Sequence, residues 1–234
     1  MQLQLVAGAD PPVPSSVDLR HSGIQAVLDS LAPASAGLVH ADPPWTYNAG
    51  TTGNGAAAQH YECITMADIA AHVESAYATA APDCYLVLWC TWPMLDDWQR
   101  QAATLSWEYL TGGAWAKVGG CGVGYHWRGN SEPVLIYRKG RPKPVNGVPG
   151  ALRNSNISPR SGHSAKPIQW LAEMFRCWGR PGLPVLDLYA GLATAADAAI
   201  AAGLPYIGAE IDEERHARGL ALVASGTRRA GVVI

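Results

Sequence analysis

A carboxylate, two prolines and an aromatic ring stand together at Asp42, Pro43, Pro44 and Trp45, directly after the apolar run GLVHA. An acid at a strand's carboxyl end is held by the strand yet open beyond it. The two prolines stiffen the turn that follows, since their φ is fixed and they cannot donate ladder hydrogen bonds. Context gives the tetrad its weight. Asp10, Pro11 and Pro12 repeat its first three residues, but Val13 follows them and the segment DPPVPSSV is too proline-rich for a regular element.

The last third of the chain supplies a second set of chemical groups. GLPVLDLYAGLATAADAAIAAGLPYIGAEIDEERHARGLALV reads as strand, glycine turn, alanine-rich helix, strand, acidic turn and helix. In such a βαβα unit the first turn lets a ligand approach the backbone and a helix N-terminus, and an acid ending the second strand can bind ribose hydroxyls. Asp187 to Gly191 is that turn, and Glu210, 19 residues after Gly191, is that acid. The turn holds one glycine, with Ala193 and Ala196 where others would stand. It therefore lacks the repeated close approach that a dinucleotide pyrophosphate needs, which argues against a nicotinamide oxidoreductase and suits a ligand without phosphate, S-adenosylmethionine.

The elements that must position these groups alternate between strand and helix. IQAVLDSL has helical spacing, Thr65 and Asp68 form a capping-box pair ahead of a helix over residues 66–80, and CYLVLWCTW is a strand. Pro93 to Ala103 reads as a helix, WEYLTGGAWAKV as one strand or a bent pair, PVLIYRKG as another strand, and residues 166–178 as a helix with Pro167 in its first turn. Alternation of this kind predicts an α/β fold with a mostly parallel sheet and helices on both faces. The polar, glycine-rich segment NAGTTGNGAAAQHYE has the composition of a mobile lid. From Gly140 to Gly162 four prolines and little periodicity predict a long loop. Between Glu132 and Glu173 there is no acid, while Arg138, Lys139, Arg141, Lys143, Arg153, Arg160 and Lys166 give seven positive charges.

With 234 residues, 48% hydrophobic and 15% charged, the chain fits a single domain, and a net charge of -2 requires any nucleic-acid contact to rest on a local patch. The five cysteines form no CxxC pair, which points to neither disulfides nor zinc but to a reduced, cytoplasmic setting. His60, His126 and His163 lack a metal-ligand spacing, so no metal is expected. No leader pattern and no apolar run of about 18 residues is present, so no membrane association is expected.

Taken in order, DPPW, then SAKP, then DLYAG and EID, together with LVLWCTW, AWAKVGGCGVGYHWRGNSEPVLIYRKG and RSGHSAKP, resemble the amino-methyltransferases in which the catalytic motif precedes the cofactor motif. The blocks are similar to those of the messenger-RNA adenosine N6-methyltransferase family and its bacterial and phage DNA relatives, over roughly residues 17 to 222. The resemblance implies a circularly permuted, Rossmann-like, S-adenosylmethionine-dependent methyltransferase fold in one domain, 1–234. A catalytic half would span about 17–137, a basic loop 138–162 and a cofactor half 163–225. It implies that Asp42 and the Pro43 carbonyl accept hydrogen bonds from the amine of a flipped base, with Pro44 completing the turn and Trp45 stacking on the ring. Asp187, Tyr189, Gly191 and Glu210 would hold the cofactor, and Lys166, with Ser164 or His163, would line its carboxylate or the entrance. Tyr47 and the basic residues Arg138, Lys139, Arg141, Lys143, Arg153 and Arg160 would meet nucleic acid. Trp115, Lys117, Arg128 and Glu132 belong to the middle blocks without a defined role.

The function so implied is N6-adenine methylation of DNA. RNA adenosine methylation, N4-cytosine methylation of DNA and a catalytically silent nucleic-acid-binding subunit are the alternatives. Monomer and homodimer both remain open.

Overall fold

The computed structural model describes residues 16–45, 64–117, 126, 129–148, 150–154 and 166–227. Its strands are β1 (Val17–His21), β2 (Leu38–Ala41), β3 (Cys84–Trp89), β4 (Glu108–Lys117), β5 (Ser131–Lys139), β6 (Ala151–Asn154), β7 (Val185–Asp187) and β8 (Tyr206–Glu210). Its helices are α1 (Ile24–Asp29), α2 (Met66–Thr79), α3 (Leu95–Ala102), α4 (Ile168–Trp178), α5 (Thr194–Ala202) and α6 (Glu213–Ser225), and a 3-10 turn over Trp92–Met94 leads into α3. The strands form one eight-stranded sheet in the order β1-β8-β7-β2-β3-β5-β4-β6. Every neighbouring pair is parallel except β3 with β5 and β5 with β4, so β5 alone runs against the rest. This is the α/β fold, mostly parallel, that the alternating pattern predicts.

Two cores cover the two faces. On one, Leu38, Val87, Val134, Ile136 and Val185 meet Trp170, Leu171 and Phe175 of α4 and Ala195, Ala198 and Ala199 of α5. On the other, Val39, Leu86, Leu88, Leu135 and Leu186 meet Leu28 of α1, Ile69, Val73 and Ala76 of α2 and Trp98 of α3. Strand β3 is buried along its whole length because alternate residues serve alternate cores, as a central parallel strand must.

Local sequence sets the helix ends. The Thr65–Asp68 capping box is closed, with Asp68 N donating to Thr65 Oγ1 at 3.1 Å and Thr65 N to Asp68 Oδ2 at 3.2 Å. Asp212 caps α6 through Arg215 N at 2.8 Å, and Gly203 (φ 74°) and Gly226 (φ 65°) stop α5 and α6 in the left-handed conformation. Two details differ from the sequence reading. Pro167 is the N-cap of α4 rather than its first turn, and the proline-rich segment after β5 contains a strand, β6, that pairs in parallel with β4 from Ala114↔Ala151 to Lys117↔Asn154.

The chain leaves β2 through α2 on one face and leaves β7, its parallel neighbour, through α5 on the other. That divergence opens a crevice above the carboxyl ends of β2 and β7, the place where open α/β sheets bind ligands. Trp98, fully buried, ties α3 to the sheet by donating its indole N–H to the Tyr137 hydroxyl at 2.9 Å. Trp98→Ala should therefore cost about 3–5 kcal/mol, read as a lower denaturation midpoint in urea.

Candidate active site

Asp42 follows the last residue of β2 and projects at the carboxyl edge, 25% exposed. Its Oδ2 accepts from Lys166 Nζ at 2.6 Å. The same ammonium lies 3.3 Å from Glu132 Oε2 and 5.2 Å above the Trp89 ring, and the other Glu132 oxygen is bridged by Lys117. The result is a chain of alternating charge, Asp42, Lys166, Glu132, Lys117, assembled from the end of β2, the lead into α4, the start of β5 and the end of β4. The reversed direction of β5 is what brings Glu132 to this edge.

Burial pushes the Asp42 carboxyl up from its ordinary value, with Glu132 adding to that and Lys166 opposing it. Burial alone would lower Lys166, but Asp42 and Glu132 outweigh it and hold the ammonium above its ordinary value. For Glu132, burial is outweighed by Lys166 and Lys117, and the carboxyl is held low. Lys166 thus stands on the acid itself. Its partner Glu132 is the residue to which the sequence assigned no role, although the acid-free stretch that begins after it marks its isolation.

The turn after Asp42 is tight: Trp45 N donates to the Pro43 carbonyl at 2.9 Å. A carbonyl has a second lone pair, so Pro43 keeps acceptor capacity. Trp45, which the resemblance implies would stack on the target base, is packed into the fold. The ring is 5% exposed, donates its N–H to the Trp89 carbonyl at 3.1 Å and packs edge-on against Trp98 at 5.5 Å.

On the neighbouring strand, Asp187 is 1% exposed and committed to protein partners. Its Oδ1 lies 2.9 Å from His40 Nδ1, and its Oδ2 accepts from the Tyr206 hydroxyl at 2.8 Å. The Trp89 indole N–H donates to His40 Nε2 at 3.1 Å, so that nitrogen is the acceptor and Nδ1 carries the proton toward Asp187. Asp187 therefore shapes the turn instead of offering a free carboxylate. His40, concealed in the sequence as one polar residue of a buried strand, is the residue that joins it to β2.

Beyond Asp187 the Tyr189 hydroxyl pairs with His72 Nδ1 of α2 at 3.0 Å, and burial pushes the phenol well up and the imidazole down. Gly191 has φ 54°, and a Cβ built there would meet nothing within 4 Å, so the turn presents bare backbone to open space. Ala193 also adopts the left-handed conformation, φ 55°, at a position where glycine would be unstrained. Glu210, 8% exposed, accepts from Asp212 N at 2.8 Å, and burial pushes its carboxyl up. Ile211, next to it, is 75% exposed and offers a bare apolar surface beside the acid, a feature the sequence reading passed over.

Of the described basic residues, Arg138, Lys139 and Arg141 lie away from this edge. Arg138 is bound to Glu108 (Nε to Oε2, 3.0 Å), and Lys139 donates to the carbonyls of Tyr77 at 2.7 Å and Ala80 at 2.9 Å. Both pair with the start of β3, as Cys84↔Lys139 and Tyr85↔Arg138, which puts them about 20 Å from Glu132 along β5. Arg141 N bonds Asp83 at that same far edge. Any contact of Arg138, Lys139 and Arg141 with nucleic acid, as the resemblance implies, would therefore be made at the edge away from Asp42. Lys143 is exposed in the connection to β6, and Arg153 lies on β6 opposite Ala116, toward the carboxyl edge. Tyr47, Arg128, Arg160, His163 and Ser164 lie outside the described residues, as does the expected lid.

No protein-family model and no curated protein matches the chain. Solved structures do. The chain is similar to the M1.HpyAVI–SAM complex (TM-score 0.67, 13% identity, 88% of this chain and 98% of that one). It is also similar to TTHA0409, a putative DNA modification methylase of Thermus thermophilus complexed with S-adenosyl-L-methionine (0.66, 19%, 93% and 95%). A third is the cytosine-N4-specific PvuII DNA methyltransferase (0.69, 14%, 89% and 87%). The fold is the Rossmann-like methyltransferase fold. At these identities the likeness is one of architecture, and what this chain does must come from its own site.

Removing Lys166 would leave two partly buried carboxylates, of which only Glu132 keeps a cation, Lys117. The raised value of Lys166 means that its contribution to stability is complete below about 10.5 and is lost as pH rises through the folded value. Lys166→Met should therefore lower stability by about 3–5 kcal/mol at pH 7. The loss should shrink in acid as Asp42 takes up a proton, which denaturant titrations at two pH values would measure.

Proposed function

We propose that the protein is an S-adenosylmethionine-dependent methyltransferase that acts on the N6 amine of adenine in DNA, with its catalytic strand ahead of its cofactor unit in a circularly permuted order. The observation that carries this reading is the position of Asp42 on β2, at the switch point beside the Gly191 turn of β7. The similar solved structures, which include named DNA methylases and SAM complexes, support both the cofactor and the substrate class.

The residues present fit the cofactor. Gly191 leaves its turn open at the backbone, Glu210 is a buried acid with acceptor capacity for ribose hydroxyls, and Ile211 offers a flat apolar contact. Bound there, S-adenosylmethionine supplies an electrophilic methyl group. The chain's own residues prepare the nucleophile. An exocyclic amine is weakly nucleophilic because its lone pair is delocalised into the ring. Acceptors at its N–H hydrogens, the Asp42 carboxylate and the second lone pair of the Pro43 carbonyl, favour a pyramidal nitrogen with a localised pair. Asp42 then offsets the positive charge that develops on nitrogen.

In the described state Lys166 occupies Oδ2 of Asp42, so the amine takes the remaining acceptor sites of the carboxylate or displaces the ammonium toward Glu132. Extruding the base from a duplex costs a few kcal/mol, which contacts in the pocket must offset. The N4-cytosine specificity of one similar structure makes cytosine the rival substrate. An acid at position 42, where serine is usual in the cytosine enzymes, favours adenine.

Incubation with isotopically labelled cofactor and unmethylated DNA, then nucleoside analysis, should yield N6-methyladenine, and N4-methylcytosine or no product would refute the assignment. Asp42→Ala should reduce turnover by about 10²–10³-fold or more while leaving cofactor affinity in place, because Glu132 still neutralises Lys166.

Glu210 gives a pH test. Its carboxyl is raised by burial, and a ribose hydroxyl donates best to the ionised form, so cofactor affinity should fall as pH drops through that raised value. Calorimetry should show this dependence in the native protein and a weaker, flatter affinity in Glu210→Gln.

A further inference from the structure

The chain leaves β3 at the carboxyl edge through Cys90 and Thr91 and enters the 3-10 turn at Trp92. Since β3 lies between β2 and β5, this exit stands between Asp42 and Glu132 along the edge. The Trp92 ring is 49% exposed, unlike Trp45, Trp89, Trp98, Trp107, Trp115 and Trp170, each at most 5% exposed. It is nevertheless fixed in orientation: Pro93 follows it in the turn, and its indole N–H donates to Ser131 Oγ at 3.0 Å. Ser131 precedes Glu132, the acid that shares Lys166 with Asp42. Two aromatic rings stand out as strongly exposed among the described residues, and the other, Tyr109, is at the far edge, packed on Tyr137 at 5.4 Å. The neighbouring acids Asp96 and Asp97 are both bound by Arg100, so the charge below the ring is partly neutralised.

We propose that Trp92 is a stacking platform for a nucleobase that flanks the methylated one in the substrate strand, an inference that rests on the nucleic-acid methyltransferase reading. Asp42 leaves β2 and Trp92 follows β3, the next strand along the same carboxyl edge, so a strand of nucleic acid that places one base at Asp42 would bring a flanking base toward Trp92. A ring anchored by its own N–H presents a preformed face and loses little freedom on binding. Every base has a π-face, so the contact adds affinity without adding sequence preference.

The test compares Trp92→Ala and Trp92→Phe with the native protein, using fluorescence anisotropy on a labelled DNA oligonucleotide and calorimetry with S-adenosylmethionine. Trp92→Ala should weaken oligonucleotide binding by about 5- to 150-fold, Trp92→Phe should recover most of it, and cofactor affinity should be unchanged in both. Oligonucleotide binding by Trp92→Ala within twofold of native would overturn the proposal, as would equal losses in the two variants. Unchanged nucleic-acid binding with a loss of self-association would assign the ring to a protein contact instead. If the native protein methylates the oligonucleotide and Trp92→Ala does so with native affinity, only the platform falls. A native protein that binds neither cofactor nor oligonucleotide sinks the functional reading as well.

Discussion

The bond between His40 and Asp187 joins the two strands on which everything at this edge is built. Strands β2 and β7 are parallel neighbours whose onward connections diverge to opposite faces, so packed helices do not close the gap above them. Buried polar groups at that gap must be satisfied by one another, and they are. His40 receives the Trp89 indole proton, Asp187 receives the protons of His40 and Tyr206, and β3, β2, β7 and β8 are locked in register across the crevice. In a low-dielectric setting such a network rigidifies as long as every member is paired. The positions of Asp42, two residues past His40, and of Tyr189, two past Asp187, follow from it.

The charge chain above this network has a different character. In the proposed reaction Asp42 would have to be both ionised and poorly hydrated, two demands that conflict. Burial raises the Asp42 carboxyl and Lys166 opposes that rise, while Glu132 shares the ammonium. The three groups come from three distant stretches of chain, so the arrangement exists only once the sheet has formed and β5 has entered it in reverse.

That dependence explains what could be read in advance. The Thr65–Asp68 cap, the alternating pattern and the βαβα unit are local, and local chemistry decided them. Asp42 and Glu210 could be singled out because each ends an apolar run, which fixes it at a strand's exit. The partner of Lys166 could not, since contact across 34 residues of chain between Glu132 and Lys166 leaves no periodic trace. The direction of β5 and the existence of β6 were equally hidden: β6 is a short strand inside a proline-rich segment, made by pairing with β4 rather than by its own pattern. The charge count misled for a related reason. Arg138 and Lys139 add to a basic stretch in the sequence, but the strand carries them to the opposite edge, where Glu108 and the carbonyls at the end of α2 hold them.

Trp45 shows how the fold takes up a ring that the sequence sets at a strand's exit. An aromatic directly after two prolines at a strand end suggests a ring presented to a ligand. The tight turn from Trp45 N to the Pro43 carbonyl instead folds the chain back, and the indole goes into the core between Trp89 and Trp98. There it fixes the turn that holds the Pro43 carbonyl. The fold that buries this ring also ties Arg138 to Glu108 and Lys139 to the carbonyls at the end of α2, so two of the chain's cations act first as internal struts of the edge away from Asp42.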